Sequence, residues 1–460
     1  GGRAFYTFDE GEYGGEIFYD PTDIHNNPPV NDSWIVVPSY NTDADGNNYL
    51  TCVLTDWSND KDHFMFHAGE DAAWEGSEFQ FSNSMTILNT VREFRTGGYV
   101  SNGNMDINDD GIGYYVVSAY IHDDDSSTVG NHTLFVKKTE NYGANWSGWY
   151  WLPDEIMNDY FFSLFPESAP DMFDGSISYP DGGDAPGGVW APFISYDIEV
   201  IAGPDGSMHV WGGVMPSAGG SVLIRYSEEN ALYHFGAPAD AFAGGGGPVT
   251  MSISAPIGTM QMGWAYSLPE WGGSVYSAAY DNTIDDALYI TYYTVTDTGT
   301  SETGEWIDAN LMGAYSLDNG ETWSAPENLT MTNDGTIDEI DVHINRVAEN
   351  GAVQMFYQIP DFDVPTVDPP EQHEDYMQRL YYAEHVFVTT GTDEQVEVPG
   401  YFELNQNYPN PFNPSTEISF VLPESGHVEL TVFDITGREL VSLQNGELNA
   451  GSHAITFDGS

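Results

Sequence analysis

The chain has 460 residues, 40% hydrophobic and 14% aromatic, which is ample material for packed cores and excludes a disordered chain. Its 72 acidic residues face only 10 basic ones, a formal net charge of -62, so the surface repels phosphate backbones and anionic lipid; nucleic-acid and membrane-surface partners are excluded. The one cysteine, Cys52, rules out an intrachain disulfide or a thiolate metal cluster, and no run of about eighteen apolar residues offers a membrane span.

So dense a carboxylate surface has two readings, and both stay open. The carboxylates remain hydrated and screened in salty water, or some of them cage calcium. Either way the medium expected is external and saline or calcium-bearing. The N-terminal "GGRAFYTFDEGEYGG" has no apolar segment of the kind signal peptides carry, which suggests a leader already removed or a processed form.

Helical periodicity is nearly absent along the chain. What recurs is an Asp/Asn/Gly turn entering a strand of aromatic and β-branched residues. The pattern appears in "DADGNNYLTCVL" (43–54), "NDDGIGYYVVSAY" (108–120), "GPDGSMHVWGGV" (203–214), "IDDALYITYYTV" (284–295) and "AENGAVQMFYQI" (348–359). Most are followed by a second strand: "TLFVKKTE" (133–140), "SVLIRYSE" (221–228), "LMGAYSLD" (311–318) and "RLYYAEHVFV", which starts at Arg379. The turns recur at intervals of about 65 to 95 residues, which suits four-stranded blades with inserted loops. An all-β chain of this kind is predicted to form a β-propeller, where radial repetition protects the sheet edges. Six blades are expected, with five or seven as alternatives, and "RAFYTFDE" is placed to pair with the last blade and close the ring. The Gly- and Pro-rich stretches 181–192, 241–249 and 364–372 read as long inter-strand loops, where binding usually resides.

Two of the turns also read as half of a calcium loop. "DINDDG" (106–111) offers Asp106, Asn108 and Asp110 at alternate positions, and "NTDADG" (41–46) offers Asn41, Asp43 and Asp45. Neither has an acidic residue at the twelfth position, so a polar β-turn is the competing reading. His63 and His67 fall on one strand face without a third ligand, which points to a structural pair.

"SLDNGETW" is the best-ordered motif: Ser316, Asp318, Gly320, Thr322 and Trp323 stand at fixed offsets. "TENYGANW" is a looser copy, with Thr139, Asn141, Gly143, Asn145 and Trp146 at the same offsets. The hydroxyl and carboxylate oxygens bond turn backbone, the glycine takes a positive φ, and the tryptophan buries under the hairpin, so the motif is a clamp. It resembles the Asp-box of sialidase-like β-propellers, a class that contains glycosidases and many non-catalytic relatives. In those families the motif sits on outer turns, away from the central pocket. A sialidase resemblance would also imply three arginines gripping a sugar carboxylate, a tyrosine nucleophile with a carboxylate partner, and an acidic acid/base residue. Arg225, Arg346 and Arg379 fall on strands of successive units and are the candidates; salt bridges within an acidic protein are the plainer account of them. Other catalytic motifs, such as G-x-S-x-G or H-E-x-x-H, are missing from the sequence.

A polar, turn-rich stretch, "TTGTDEQVEVPG" (389–400), marks a boundary. The expected division is a propeller over 1–392, a linker over 393–402 and a small immunoglobulin-like β-sandwich over 403–460. The last segment carries "LNQNYPNPFNPST" (404–416), "ISFVLPESGHVELTVFDITGREL" and "AGSHAITFDG", and it resembles the type A C-terminal sorting domain of the type IX secretion system of Bacteroidetes and their relatives. That family usually continues past the final Asp-Gly with a further hairpin, so the sandwich is expected to be incomplete here. The resemblance implies export through the type IX machinery to the surface of a Gram-negative bacterium or into the medium. The expected role is binding, adhesive or structural, toward glycan, a surface protein or copies of the chain itself. An exo-acting glycoside hydrolase of sialidase-like architecture is the alternative.

Overall fold

The structure, a computed structural model, describes residues 5–6, 22–23, 33–56, 62–68, 83–88, 100–120, 131–161, 164, 191–218, 222–223, 231–259, 276–297, 308–330, 339–367, 376–388, 403–404, 415–422, 426–433, 438–448 and 451–458. Arg225, the linker 393–402 and most of 404–416 lie outside them. The chain divides into two compact parts, 1–389 and 390–460.

In the first part, after a short pairing of β1 (Phe5–Tyr6) with β2 (Thr22–Asp23), antiparallel meanders follow one another in chain order. The first comprises β3 (Ser33–Thr42), β4 (Asn48–Asp56), β5 (Asp62–Ala68) and β6 (Asn83–Leu88). The second comprises β7 (Asn104–Ile107), β8 (Gly113–Tyr120), β9 (His132–Thr139) and β10 (Tyr150–Trp151); a short helix, α1 (Asp154–Phe161), follows it. In the third, β11 (Ala191–Ala202) pairs with β12 (Met208–Ala218), which also carries β13 (Val222–Leu223). β12 then pairs with β14 (Ala231–Ala237), whose other edge meets β16 (Ser252–Ile253) and β17 (Gly258–Thr259); β15 (Gly247–Pro248) crosses to β10. β18 (Tyr276–Asp281), β19 (Leu288–Asp297), β20 (Asp308–Ser316) and β21 (Glu327–Asn328) form the fourth. The fifth has β22 (Ile340–Ile344), β24 (Ala352–Pro365) and β25 (Tyr376–Val386), while β23 (Val347–Ala348) pairs with β18.

The meanders among the described residues thus number five, the low end of the range expected. Their first strands lie side by side in the order β3, β7, β11, β18, β22. No strand pairing among the described residues closes the row, and β1 pairs with β2 rather than with β25. A local pairing closes a short loop, whereas docking on the last sheet would close nearly the whole chain at a larger entropic cost.

Why the sequence takes this form is visible in β8 and β19. Tyr114 and Val116 pack toward the third meander with Val200, Val210 and Phe235, while Tyr115 and Val117 pack toward the first with Val53, Met65 and Ile107. Likewise Leu288, Ile290 and Tyr292 face the third meander, and Tyr289 and Tyr293 the fifth. A strand sandwiched between two sheets is apolar on both faces, so its sequence loses the polar alternation of a half-exposed strand. Cores therefore sit between consecutive sheets. α1 is the one α-helix among the described residues, and it buries Met157 and Phe161 against the core between the second and third meanders. No helix among the described residues is long and apolar enough to cross a membrane.

The second part contains one sheet of β26 (Glu403–Leu404), β27 (Ser415–Leu422) and β30 (Gly451–Asp458), and another of β28 (Gly426–Phe433) and β29 (Glu439–Leu448).

Candidate functional site

Within each meander the first-to-second strand turn is short, and a side chain seals it. Asp43 Oδ1 accepts from the amides of Asp45 and Asn47, and Asn108 Oδ1 from those of Asp110 and Ile112. Gly46, Gly111 and Gly206 take positive φ at matching positions. Of the oxygens nominated for calcium, those of Asp43 and Asn108 are thus bonded within the protein, whereas Asn41 Oδ1 is buried without a hydrogen bond among the described residues. Asp43 Oδ2 also accepts from Asn47 and Tyr49, Asn41 donates to Ser39, and Asn108 Nδ2 donates to the Gly203 carbonyl. No three His, Cys, Asp or Glu side chains group as a metal site among the described residues.

The two clamp motifs adopt one geometry. Ser316 Oγ donates to Asp318 Oδ1 (2.8 Å) and accepts from Gly320 N (2.9 Å); Thr139 Oγ1 donates to Asn141 Oδ1 (3.0 Å) and accepts from Gly143 N (3.0 Å). Thr322 N donates to Asp318 and Asn145 N to Asn141. Each tryptophan closes the turn: Trp323 Nε1 donates to Gly320 O (3.2 Å) and Trp146 Nε1 to Gly143 O (3.0 Å). The structure adds what the sequence hid, because each clamp also grips the preceding meander. Thr51 Oγ1 donates to the Tyr142 carbonyl, Tyr142 stacks on Tyr49 at 4.0 Å, and His234 Nδ1 approaches the Gly320 carbonyl.

His63 and His67 are buried on β5; His63 lies 2.5 Å from the Tyr115 hydroxyl and His67 2.9 Å from Thr51 Oγ1. They do not share a ligand position.

Of the three candidate arginines Arg225 lies outside the described residues, and Arg346 and Arg379 take separate partners. Arg379 is exposed and bonds Asp361 on the neighbouring strand. Arg346, in the bend between β22 and β23, points inward. Its Nε lies 2.8 Å from the Asp106 carboxylate, its Nη2 3.1 Å from the Ile107 carbonyl and 3.5 Å from the Ala202 carbonyl, and its guanidinium sits 5.5 Å from the Tyr280 ring. One side chain of the fifth meander therefore touches the second, third and fourth. The Ala202 amide completes the cluster by donating to Asp106 (2.8 Å). Burial works to raise the Asp106 carboxyl, while the Arg346 charge and the amide oppose it.

Further along the first strands, toward the end where the connections 57–61, 121–131, 219–230 and 298–307 depart, lie two carboxyls that sequence reading missed. Glu199 Oε2 accepts from Asn104 Nδ2 (3.1 Å) and Oε1 from the Ala278 amide (3.5 Å), tying the third meander to the second and fourth. Burial pushes Glu199 up to about 8, against the pull of those bonds, and pushes Asp197 up to about 7. Both remain partly exposed. Beside them the Tyr276 hydroxyl meets Ser195 Oγ (3.0 Å) and the Gly213 amide (3.3 Å) and donates to the Asp197 carbonyl. The only sequence signal was acidic residues inside an apolar strand, "FISYDIEVIA" (193–202), which is anomalous for a strand buried on both faces. Chemically, the cluster offers a carboxylic acid that is neutral at neutral pH, a paired carboxylate, an amide and aromatic rings.

No protein-family model and no curated protein matches the chain. Among solved structures it is similar to a protein of unknown function from Dyadobacter fermentans, at 9% identity and a TM-score of 0.37 over 93% of this chain and 95% of that one. It is also similar to the α-L-arabinofuranosidase Arb93A from Fusarium graminearum (9% identity, TM-score 0.37, 92% and 95%) and to PaAbf62A, an α-L-arabinofuranosidase from Podospora anserina (10% identity, TM-score 0.35, 78% and 92%). At these scores the likeness fixes neither ligand nor reaction.

Proposed function

We propose that the chain is an exported β-propeller of the Asp-box kind that binds glycan at its central cluster, carried out of a Gram-negative cell by the type IX machinery through its C-terminal part. The convergence of four meanders on Arg346 carries the reading, since sheets arranged around a common axis would bring their first strands together in this way. Asn104, Asp197 and Glu199 lie back along the first strands from Arg346, toward the end where the connections 121–131, 219–230 and 298–307 leave, and loops on one face of a rigid scaffold are a usual place for binding. Arg346 already spends its Nε on Asp106 and its Nη2 on the Ile107 and Ala202 carbonyls, so the cluster suits uncharged sugar hydroxyls better than a sugar carboxylate.

A glycan array run with the full chain, with neutral and sialylated sugars side by side, tests this. Binding of neutral glycans, weakened about tenfold or more by Asn104→Ala, is expected from loss of a buried polar contact. Indifference to every glycan would leave a surface protein or self-association as the partner. A second reading, glycoside hydrolysis, is favoured by one observation: Glu199 is held neutral beside the paired Asp106, and two carboxyls in opposite charge states are what acid-assisted cleavage uses. Sugar release that disappears in Glu199→Gln while binding persists would select it.

A further inference from the structure

A chain of hydrogen bonds runs from the third meander to the clamp of the fourth. Ser207 Oγ lies 2.5 Å from Asp205 Oδ1 and 2.8 Å from His209 Nε2. His209 Nδ1 lies 2.9 Å from His234 Nε2, and His234 Nδ1 lies 3.1 Å from the Gly320 carbonyl oxygen. An ionised carboxylate at one end and a carbonyl at the other can only accept. Four links therefore need four protons, whereas a serine hydroxyl and two neutral imidazoles supply three.

Asp205 does not make up the difference. It is exposed, and although burial works against its charge, the hydroxyl and amide of Ser207 hold its carboxyl below the usual value. Ser207, His209 and His234 are buried. A second observation points the same way. The His234 ring packs beside Trp211 at 5.1 Å and Trp323 at 5.6 Å between centroids, and aromatic rings within about 6 Å attract an enclosed cation. Asp205 faces His209 from the turn before β12, and Asp318 faces His234 from the clamp.

We propose that the His209–His234 pair is a proton-binding site, which takes one proton from solvent, becomes a single shared imidazolium, and in that form fastens the third meander to the clamp turn of the fourth. This stands apart from the glycan reading and does not depend on it. Burial by itself predicts the opposite, drawing His209 down to about 4, so the two accounts separate cleanly. If the folded pair holds its proton above the ordinary value of 6.5, the stability it contributes is fully present below that value and lost as pH rises through the folded midpoint.

The test is long-range proton–nitrogen NMR of the full chain labelled in its histidine rings, from about pH 5 to about pH 8.5. The expected result is two rings titrating as one unit with a midpoint above 6.5, with the proton on His234 Nδ1 retained throughout. Two neutral rings persisting down to about pH 5 would overturn the proposal. Asp205→Asn, a surface change that leaves the fold's core untouched, is expected to lower the shared midpoint by about one unit or more. Identical titration of variant and wild type would equally overturn it.

Discussion

The two ends of the same meanders are built on different principles. At one end lie turns sealed by their own side chains: Asp43, Asn108 and Asp281 bond amides two to four residues on, and the Ser316 and Thr139 clamps do likewise. The Arg346–Asp106 pair sits at this end, where β7 and β11 finish. Further back along the same strands, toward the other end, Asp197 and Glu199 carry unfavourable burial. The lesson is a division of labour. Satisfied polar groups hold the scaffold, and carboxyls whose charge is suppressed mark the end fitted for binding.

The harshest way to break that contrast is Arg346→Ala. It strips the partner from a buried carboxylate, which costs about 3–5 kcal/mol, read by urea unfolding. A loss under about 1 kcal/mol would mean the four meanders do not depend on the pair. Next comes Gly320→Ala. Its φ of 87° already disfavours a side chain, and a Cβ would collide with the His234 ring, so about 2–3 kcal/mol is expected. Gly244→Ala has nearly the same φ, 88°, but meets nothing within 4 Å, and should cost only about 1 kcal/mol. The difference between the two isolates the clamp's docking from backbone strain.

At the other end Glu199→Gln should act through pH. Glu199's ordinary value is 4.5 and its folded value about 8, so the folded state keeps a proton that the unfolded chain releases. Wild-type stability is then greatest below 4.5 and falls as pH rises toward about 8, while glutamine does not titrate. The variant is expected to melt a few degrees higher than wild type near about pH 8.5 and level with it near about pH 5. Parallel melting curves at every pH would remove the suppressed charge from the account. The smallest effect expected is from chelation: with the Asp43 and Asn108 oxygens already capping their turns, added chelator should shift Tm by less than about 1 °C. A larger drop would restore calcium to the 41–46 and 106–111 turns.

Sequence reading reached the sealed end and stopped short of the other. All five quoted turns are first-to-second strand turns of meanders, and both clamps have the bonding their residue order implies. Arg346 was named as one of three arginines for gripping an anionic sugar, with a salt bridge as the plainer account, and its pairing with Asp106 is that salt bridge, to a carboxylate the sequence did not single out as its partner. Glu199 and the His209–His234 pair were passed over, because a lone acidic or imidazole side chain in an apolar strand has no spacing that announces its partner.

The sequence by itself determined the strands, their turns and the clamps, since these rest on bonds between residues two to four apart and on apolar runs that each strand carries alone. Only the tertiary structure decided which polar groups meet. Asp106 and Arg346, like Asn104 and Glu199, come from different meanders and are set by the angle at which each meander packs on the last, a quantity that accumulates over the whole chain and is written in no single stretch of it.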